Sequence, residues 1–196
     1  MIGIVNYGAG NIFSLTAALE RLDLKYGMIN TESDFDLYDR IIIPGVGHAG
    51  TAMKKLMDTG LVSKIKSLTK PVLGICVGMQ LLTNYSEEGD SPMLEIIPLQ
   101  TLRFQEEICK KVPHMGWNQI SPNKNCVLFK NIPEASYFYF VHSYFIEFNS
   151  KFTTAYCNYG IKFSASIQNN NFYGVQFHPE KSGEAGEMLL KNFAHL

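Results

Sequence analysis

Hydrophobic residues fall into two rhythms along this chain. In the first half, short apolar runs alternate with stretches whose apolar positions recur at helical spacing. Residues 1–6 read as a buried strand, and 11–22 as a helix with Ile12, Leu15, Leu19 and Leu22 along one side. Residues 40–44, Arg-Ile-Ile-Ile-Pro, read as a second buried strand. The stretch 50–68 reads as helix interrupted at Gly60, 71–75 as a third strand and 77–84 as the helix after it. Strands alternating with helices predict βαβ units and a parallel sheet. Continuous apolar runs such as Ile41-Ile42-Ile43 fit parallel strands covered on both faces.

From about residue 97 the rhythm shortens. Strand-like runs occupy 99–104, 117–120, 136–141, 153–157, 163–168 and 172–177. They predict antiparallel strands laid onto the edge of the α/β core. Asn169-Asn170-Asn171 predicts a tight turn between two of them. Residues 184–194 predict a closing helix that buries Met188, Leu189, Leu190 and Phe193. No linker, repeat or low-complexity tract divides the 196 residues, so one domain over 1–196 is expected.

Composition narrows the function classes. Hydrophobic residues are 46%, charged residues 18% and the net charge is −1. Nothing in that balance points to nucleic acid or a membrane surface. No apolar stretch is long enough to span a bilayer, and no basic segment leads into a long apolar one, so no secretory leader is expected. Cys76, Cys109, Cys126 and Cys157 lack C-x-x-C spacing, which argues against a zinc site or a disulfide framework. A reducing, cytoplasmic setting fits them.

One of these cysteines carries chemistry. In Pro71-Val72-Leu73-Gly74-Ile75-Cys76-Val77-Gly78-Met79-Gln80, an apolar strand ends at Cys76 with glycine two residues to either side. This is the cysteine form of a nucleophile elbow, a sharp strand-to-helix turn that lifts a nucleophile clear of a sheet. The helix that follows would point its N-terminus at the sulfur and favour thiolate. The N–H of Val77 would face an oxyanion. The bland alternative is a small buried hydrophobe. The far end of the chain weighs against it. There Phe172-Tyr173-Gly174-Val175-Gln176-Phe177 leads into His178-Pro179-Glu180. In extended chain His178 and Glu180 project to the same side, so the acid can orient the imidazole. Thiol, imidazole and carboxylate together form an activated nucleophile. Gly8-Ala9-Gly10-Asn11-Ile12-Phe13 invites a dinucleotide-binding reading, but the third glycine and the later acid are missing, so NAD is rejected.

The elbow and the His178-Pro179-Glu180 terminus resemble class I (triad-type) glutamine amidotransferases. Pro44-Gly45-Val46-Gly47, Pro113-His114-Met115-Gly116-Trp117-Asn118 and Tyr139-Phe140-Val141-His142-Ser143-Tyr144 narrow the likeness to the glutaminase subunits of imidazole glycerol phosphate synthases. The likeness implies a flavodoxin-like three-layer α/β fold, a mostly parallel central sheet with added antiparallel strands. It implies hydrolysis of L-glutamine to glutamate and ammonia through a cysteinyl thioester, with Cys76, His178 and Glu180 as the catalytic triad. The oxyanion hole would comprise Val46, Gly47 and Val77. Glycine to either side of Val46 would let that peptide reorient. Gln80, Glu88, Ser143 and Tyr144 match the substrate-binding positions. Asn11, Trp117, Tyr139 and Lys181 match the contact with a separate cyclase subunit of (β/α)8-barrel type, giving a heterodimer. No cofactor and no metal are implied. Three alternatives stand beside this reading: a paralogue that supplies ammonia to another acceptor, such as the amidination of a bacterial surface sugar; a binding module that keeps only the fold; and a cysteine peptidase on the same fold. Met93-Leu94-Glu95-Ile96-Ile97-Pro98 and Val77 depart from the usual pattern and keep the first of these open. The intact triad argues against the second, and Gln80, Glu88 and Ser143 against the third.

Overall fold

The computed structural model describes residues 1–109, 111–123 and 125–196. The first half of the chain gives strand β1 (Ile2–Val5), helix α1 (Ile12–Arg21), β2 (Tyr26–Ile29), β3 (Arg40–Ile43), helices α2 (Ala49–Asp58) and α3 (Val62–Lys66), β4 (Val72–Ile75) and α4 (Val77–Leu81). The second half gives β5 (Tyr85–Ser86), β6 (Ser91–Pro92), β7 (Gln100–Arg103), β8 (His114–Gln119), β9 (Ser121–Pro122), β10 (Tyr137–His142), β11 (Tyr144–Glu147), β12 (Thr153–Tyr159), β13 (Ile161–Asn169) and β14 (Phe172–Val175). Helix α5 (Gly183–Ala194) closes it.

Five parallel strands in the order β2-β1-β3-β4-β14 form the centre of the sheet. This is the flavodoxin-like order, and all four residues of β1, β4 and β14 are buried, as parallel strands with both faces covered should be. β1 steps one way to reach β2, and β3 steps the other way to reach β4. Right-handed crossovers therefore put α1 and α2 on opposite faces. Helix α1 meets α5 through Arg21 and Glu187, 3.2 Å apart, while α2 packs on α4. β13 and β11 extend the sheet antiparallel beyond β14, β7, β5 and β6 finish that edge, and β12 and β9 branch from β13. Among the described residues no helix is long and apolar enough to cross a membrane.

Several expectations change in detail. Phe172–Val175 is not an edge strand: it is the fifth parallel strand, in register with Val72–Ile75, and antiparallel only to β13. Its fully buried run suits a central position, which local pattern cannot distinguish from an edge. The runs at 117–120 and 136–141 leave the sheet altogether: β8 and β10 pair with each other as a separate ribbon, with Trp117 opposite Tyr139. β2 has no clear signature because three of its four residues are only half buried. α4 stops at Leu81, since the carbonyls of Leu81, Leu82 and Thr83 accept from the N–H groups of Leu94 to Ile97. Met188 is half buried, and Gly186 joins Leu189, Leu190 and Phe193 on the inner side of α5. The break at Gly60 and the turn at Asn170 appear as expected, both with positive φ.

The tightest packing lies where β3, β4 and α4 converge. A Cβ on Gly78 would stand 1.9 Å from the Ile43 carbonyl oxygen, and one on Gly74 would stand 2.4 Å from that of Gly78. No side chain can be accommodated without moving the backbone. Gly78→Ala should therefore lower stability by about 3 kcal/mol or prevent folding. Gly60→Ala, with φ +76 and open space around it, should cost only about 1 kcal/mol. Urea denaturation of the two variants checks the ranking, and equal losses would contradict it.

Candidate active site

Cys76 joins β4 to α4 with φ 54 and ψ −111. A left-handed cysteine costs about 1–3 kcal/mol and survives only where its neighbours over-determine it. Here they do: Cys76 N–H donates to the Val175 carbonyl at 2.8 Å, and its own carbonyl accepts from Met79 and Gln80 at 3.0 and 3.2 Å. The strained turn is the expected elbow. Helix α4 has only five residues, so its dipole is a smaller support for thiolate than the sequence reading supposes. The N–H groups of Val77 and Gly78, which precede Met79 and Gln80, have no intrahelical partner.

His178 is the stronger support. Its Nδ1 meets Glu180 Oε1 at 2.8 Å, leaving Nε2 for the sulfur of Cys76. Glu180 gets there by a short helical turn over Pro179–Lys181 rather than by continued extended chain, because Pro179 sets the turn immediately after His178. Burial pushes the imidazole down, but the hydrogen bonds and negative charge of Cys76 and Glu180 outweigh it and raise the ring to about 10. His178 is thus protonated at neutral pH, beside a sulfur whose nucleophilic form is the thiolate. Glu180 Oε2 is buried without a partner, a cost that the ion pair with His178 must offset.

These groups open onto a cavity of about 330 Å³ whose wall includes Cys76 and His178. The chain delivers the expected binding residues to the same wall. Gln80 lies one helical turn after Cys76; its Nε2 donates to the Gln176 Oε1 at 3.2 Å, and its buried Oε1 has no partner. Glu88 is anchored by the Ala49 N–H at 2.6 Å, at the first turn of α2. Ser143 and Tyr144 reach the cavity because the chain switches there from the β8–β10 ribbon to the main sheet. Val46, Gly47 and Val77 line it as well. Tyr7 donates to the Pro44 carbonyl at 2.6 Å and fixes the start of this segment, while Val46 is 40% exposed and Gly47 has φ +86. The segment is therefore held at Pro44 and again at the start of α2, with Val46 and Gly47 between the two anchors. A larger cavity of about 640 Å³ is lined by Ile120, Cys126, Lys130 and Glu134 among others, but no histidine is among the described residues of its wall. Its one thiol, Cys126, is pushed up by burial, away from the reactive range.

The four expected contact residues divide. Trp117 is 55% exposed and Tyr139 lies across from it, their rings 6.1 Å apart, with Lys181 Nζ 5.9 Å from the Tyr139 ring. Met115 and Tyr137 extend this exposed apolar face. Asn11 instead caps α1, accepting from the Ser14 N–H at 3.3 Å, and lines a small cavity together with His178 and Glu180. The face and the triad are one construction: the His178 N–H donates to the Tyr139 carbonyl at 2.9 Å, and Ser182 Oγ links the Tyr139 N–H to the His178 carbonyl.

Two features escape the sequence reading. Gln176, fully buried, approaches the Cys76 sulfur. The available signal is a lone amide inside the apolar run Val175-Gln176-Phe177. The second is a buried histidine pair. Asn118 Nδ2 donates to His114 Nε2 at 3.2 Å, His114 Nδ1 to His142 Nε2 at 2.8 Å, and His142 Nδ1 to the Tyr144 carbonyl at 2.7 Å. Every ring nitrogen is used once with both rings neutral, and burial holds His114 down at about 4 and His142 at about 3. Among the described residues no cluster of His, Cys, Asp and Glu could hold a metal ion.

Comparison with known proteins agrees with this geometry. The family model described as "Glutamine amidotransferase class-I" matches residues 3–196. The chain is 47% identical over 193 residues to the imidazole glycerol phosphate synthase subunit HisH of Pasteurella multocida, covering 98% of this chain and 96% of the relative. It is 48% identical to the HisH subunit of Haemophilus influenzae, with the same coverage, and 45% identical to that of Bacteroides fragilis, covering 100% of this chain and 99% of the relative. Among solved structures, one of a glutamine amidotransferase superposes with TM-score 0.76 at 15% identity, over 100% of this chain and 99% of that one, a likeness of fold.

The raised His178 value sets a pH dependence. Its contribution to stability is full below the ordinary 6.5 and fades as pH rises through about 10. The stability deficit of His178→Gln relative to the parent should be largest near pH 6 and shrink toward pH 10. Urea denaturation across that range tests it; a constant deficit would contradict the ion pair.

Proposed function

The chain belongs to the class-I glutamine amidotransferases, and from that premise we propose that it is the glutaminase subunit of an imidazole glycerol phosphate synthase. The observation that carries the chemistry is His178 held between Glu180 and the sulfur of an elbow cysteine, over a cavity lined by Gln80, Glu88 and Tyr144. The pathway reading is supported by relatives of that name, similar along nearly the whole chain.

The reaction follows from the geometry. Glutamine enters with its α-ammonium toward Glu88 and its α-carboxylate toward Ser143 and Tyr144, with Gln80 on the wall beside them. The Cys76 thiolate attacks the side-chain carboxamide carbon. The oxyanion is held by the Val77 N–H and by the Val46–Gly47 peptide. His178 gives its proton to the departing nitrogen, the C–N bond breaks, and ammonia leaves behind a thioester. Sulfur is then neutral. The sulfur's share of the charge and hydrogen bonding that raised the imidazole is gone while Glu180's remains, so the ring becomes a better base, still oriented by Glu180. It takes a proton from water, whose oxygen attacks the thioester carbon. Glutamate leaves and the thiolate–imidazolium pair is restored.

Ammonia must then reach a separate cyclase chain of (β/α)8-barrel type. Free ammonia is mostly protonated and non-nucleophilic near neutral pH, so a sealed passage between docked subunits preserves it. Trp117, Tyr139 and Lys181 form the docking face, with Asn11 near His178 and Glu180. Docking there bears on the same backbone that holds His178. The Val46–Gly47 peptide, exposed at Val46 and hinged at Gly47, completes the oxyanion hole on docking. Four unpaired cysteines, one of them nucleophilic, suit the reducing cytoplasm.

The test is glutamate release by the purified chain, alone and with a cyclase subunit plus its ribonucleotide substrate. Cys76→Ala should lower turnover by about a thousandfold or more. Stimulation by the cyclase supports the pathway reading. Cys76-dependent turnover indifferent to the cyclase would assign the glutaminase to another ammonia acceptor, and no turnover in any mixture would overturn the reading. Trp117→Ala should weaken association with the cyclase by about 2 kcal/mol, as interface anchors do. Its melting temperature should hardly change, because the ring is exposed. Calorimetric titration of the subunits checks this, and unchanged affinity would exclude the face.

A further inference from the structure

Gln176 has no part in the mechanism above, yet it stands beside the nucleophile. Its side chain is 0% exposed, so it cannot touch substrate in the cavity. A primary amide buried in an apolar strand is costly unless its polar atoms are used. Both of its polar atoms are used: Gln176 Oε1 accepts from Gln80 Nε2 at 3.2 Å, and Gln176 Nε2 approaches Cys76 Sγ at 3.7 Å, a long contact because sulfur is large.

The direction of that amide is set from outside. Gln80 Nε2 also faces the Tyr144 carbonyl at 3.4 Å, and a carbonyl can only accept. The Gln80 amide must therefore present its nitrogen on this side, and Gln176 must answer with its oxygen. The nitrogen of Gln176 is then the atom that faces sulfur. A donor, not an acceptor, meets the nucleophile. The Tyr144 carbonyl is in turn held by His142, and His142 by His114, so the polarity is fixed across three elements of the fold.

We infer that Gln176 is a second donor to the Cys76 sulfur beside His178: it stabilises the thiolate and fixes the sulfur in position, and Gln80 clamps it in that orientation. The role rests on the glutaminase reading for its kinetic consequence. In acylation the donor enlarges the thiolate fraction at neutral pH, and in deacylation it stabilises the same sulfur as leaving group. Because Gln176 is shielded from the cavity, its loss should act on turnover rather than on substrate affinity.

The test is the rate of Cys76 alkylation by iodoacetamide against pH, followed by peptide mass spectrometry, for the parent, Gln176→Met and Gln176→Glu. It needs no glutamine, so it stands whether or not the glutaminase reading does; glutamine turnover by the parent decides that reading separately. Gln176→Met should be alkylated about tenfold more slowly at neutral pH, the scale of one lost hydrogen bond to a charged group. The deficit should close at high pH, where the thiol is ionised in both proteins. Gln176→Glu, which puts a carboxylate against the sulfur, should be slower still. Turnover of glutamine by Gln176→Met should show kcat down about tenfold with KM within about twofold. A parent-like alkylation profile in Gln176→Met overturns the inference, as does a deficit that persists at high pH. Should both variants fail to fold, Gln80→Met carries the test through alkylation alone: with its clamp removed, Gln176 should support the thiolate less, and an unchanged profile overturns the inference.

Discussion

The contact between the Ile43 carbonyl and the bare Cα of Gly78 governs this molecule. It brings the first turn of α4 against the end of β3, with no room for even a methyl group. That closeness holds Cys76 in its left-handed conformation, aims its sulfur out of the sheet and sets the Val77 N–H beside the segment after β3. The strain at Cys76 is balanced by packing in the best-buried part of the fold, where three neighbouring strands end together. β3 supplies Pro44 to Gly47, β4 supplies Cys76, and the stretch leaving β14 supplies Gln176 and His178. A parallel sheet delivers all three to one side because every strand runs the same way.

Electrostatics completes what packing positions. His178 carries opposed pressures, burial against charge partners, and the partners prevail. The balance depends on the state of the sulfur, so in the proposed reaction one imidazole serves as acid in the first half and as base in the second. Nearby, His114 and His142 are buried with no carboxylate partner, and burial keeps them neutral. The buried side chains of His178, Gln176, Gln80 and His142 are thus given distinct donor and acceptor roles by their surroundings. The proposed chemistry sits in a cavity about half the volume of the one lined by Cys126 and Glu134, because reactivity follows the grouping of donors and acceptors rather than the size of a void.

The ribbon of β8 and β10 has no counterpart in a plain doubly wound sheet. It carries exposed apolar rings outward and catalytic backbone contacts inward. Tyr139 does both: its ring faces solvent near Trp117, while its carbonyl and N–H are tied to His178 and Ser182. Across the ribbon, Asn118 and His114 begin the hydrogen-bond chain that ends at the Tyr144 carbonyl on the cavity wall. A partner resting on this face would press on an element that shares hydrogen bonds with the site, so docking and chemistry are mechanically close.

Local sequence determined much of this. The glycines around Cys76 announce the elbow because only a bare Cα tolerates such close approach, and the alternating elements of residues 1–84 announce the parallel core because buried strands and amphipathic helices have different periods. His178 and Glu180 are legible as a pair because they stand two positions apart. Tertiary structure alone decided the remainder. Whether Phe172–Val175 joins the edge or the centre depends on which strand it meets, a contact a hundred residues distant. The separation of β8 and β10 from the sheet, the short α4 and the half-buried β2 follow likewise from partners far along the chain. The role of Gln176 is the clearest case. In sequence it is one amide in an apolar strand; only when β14 lies beside β4, and the Tyr144 carbonyl fixes the Gln80 amide, does its nitrogen come to face the sulfur.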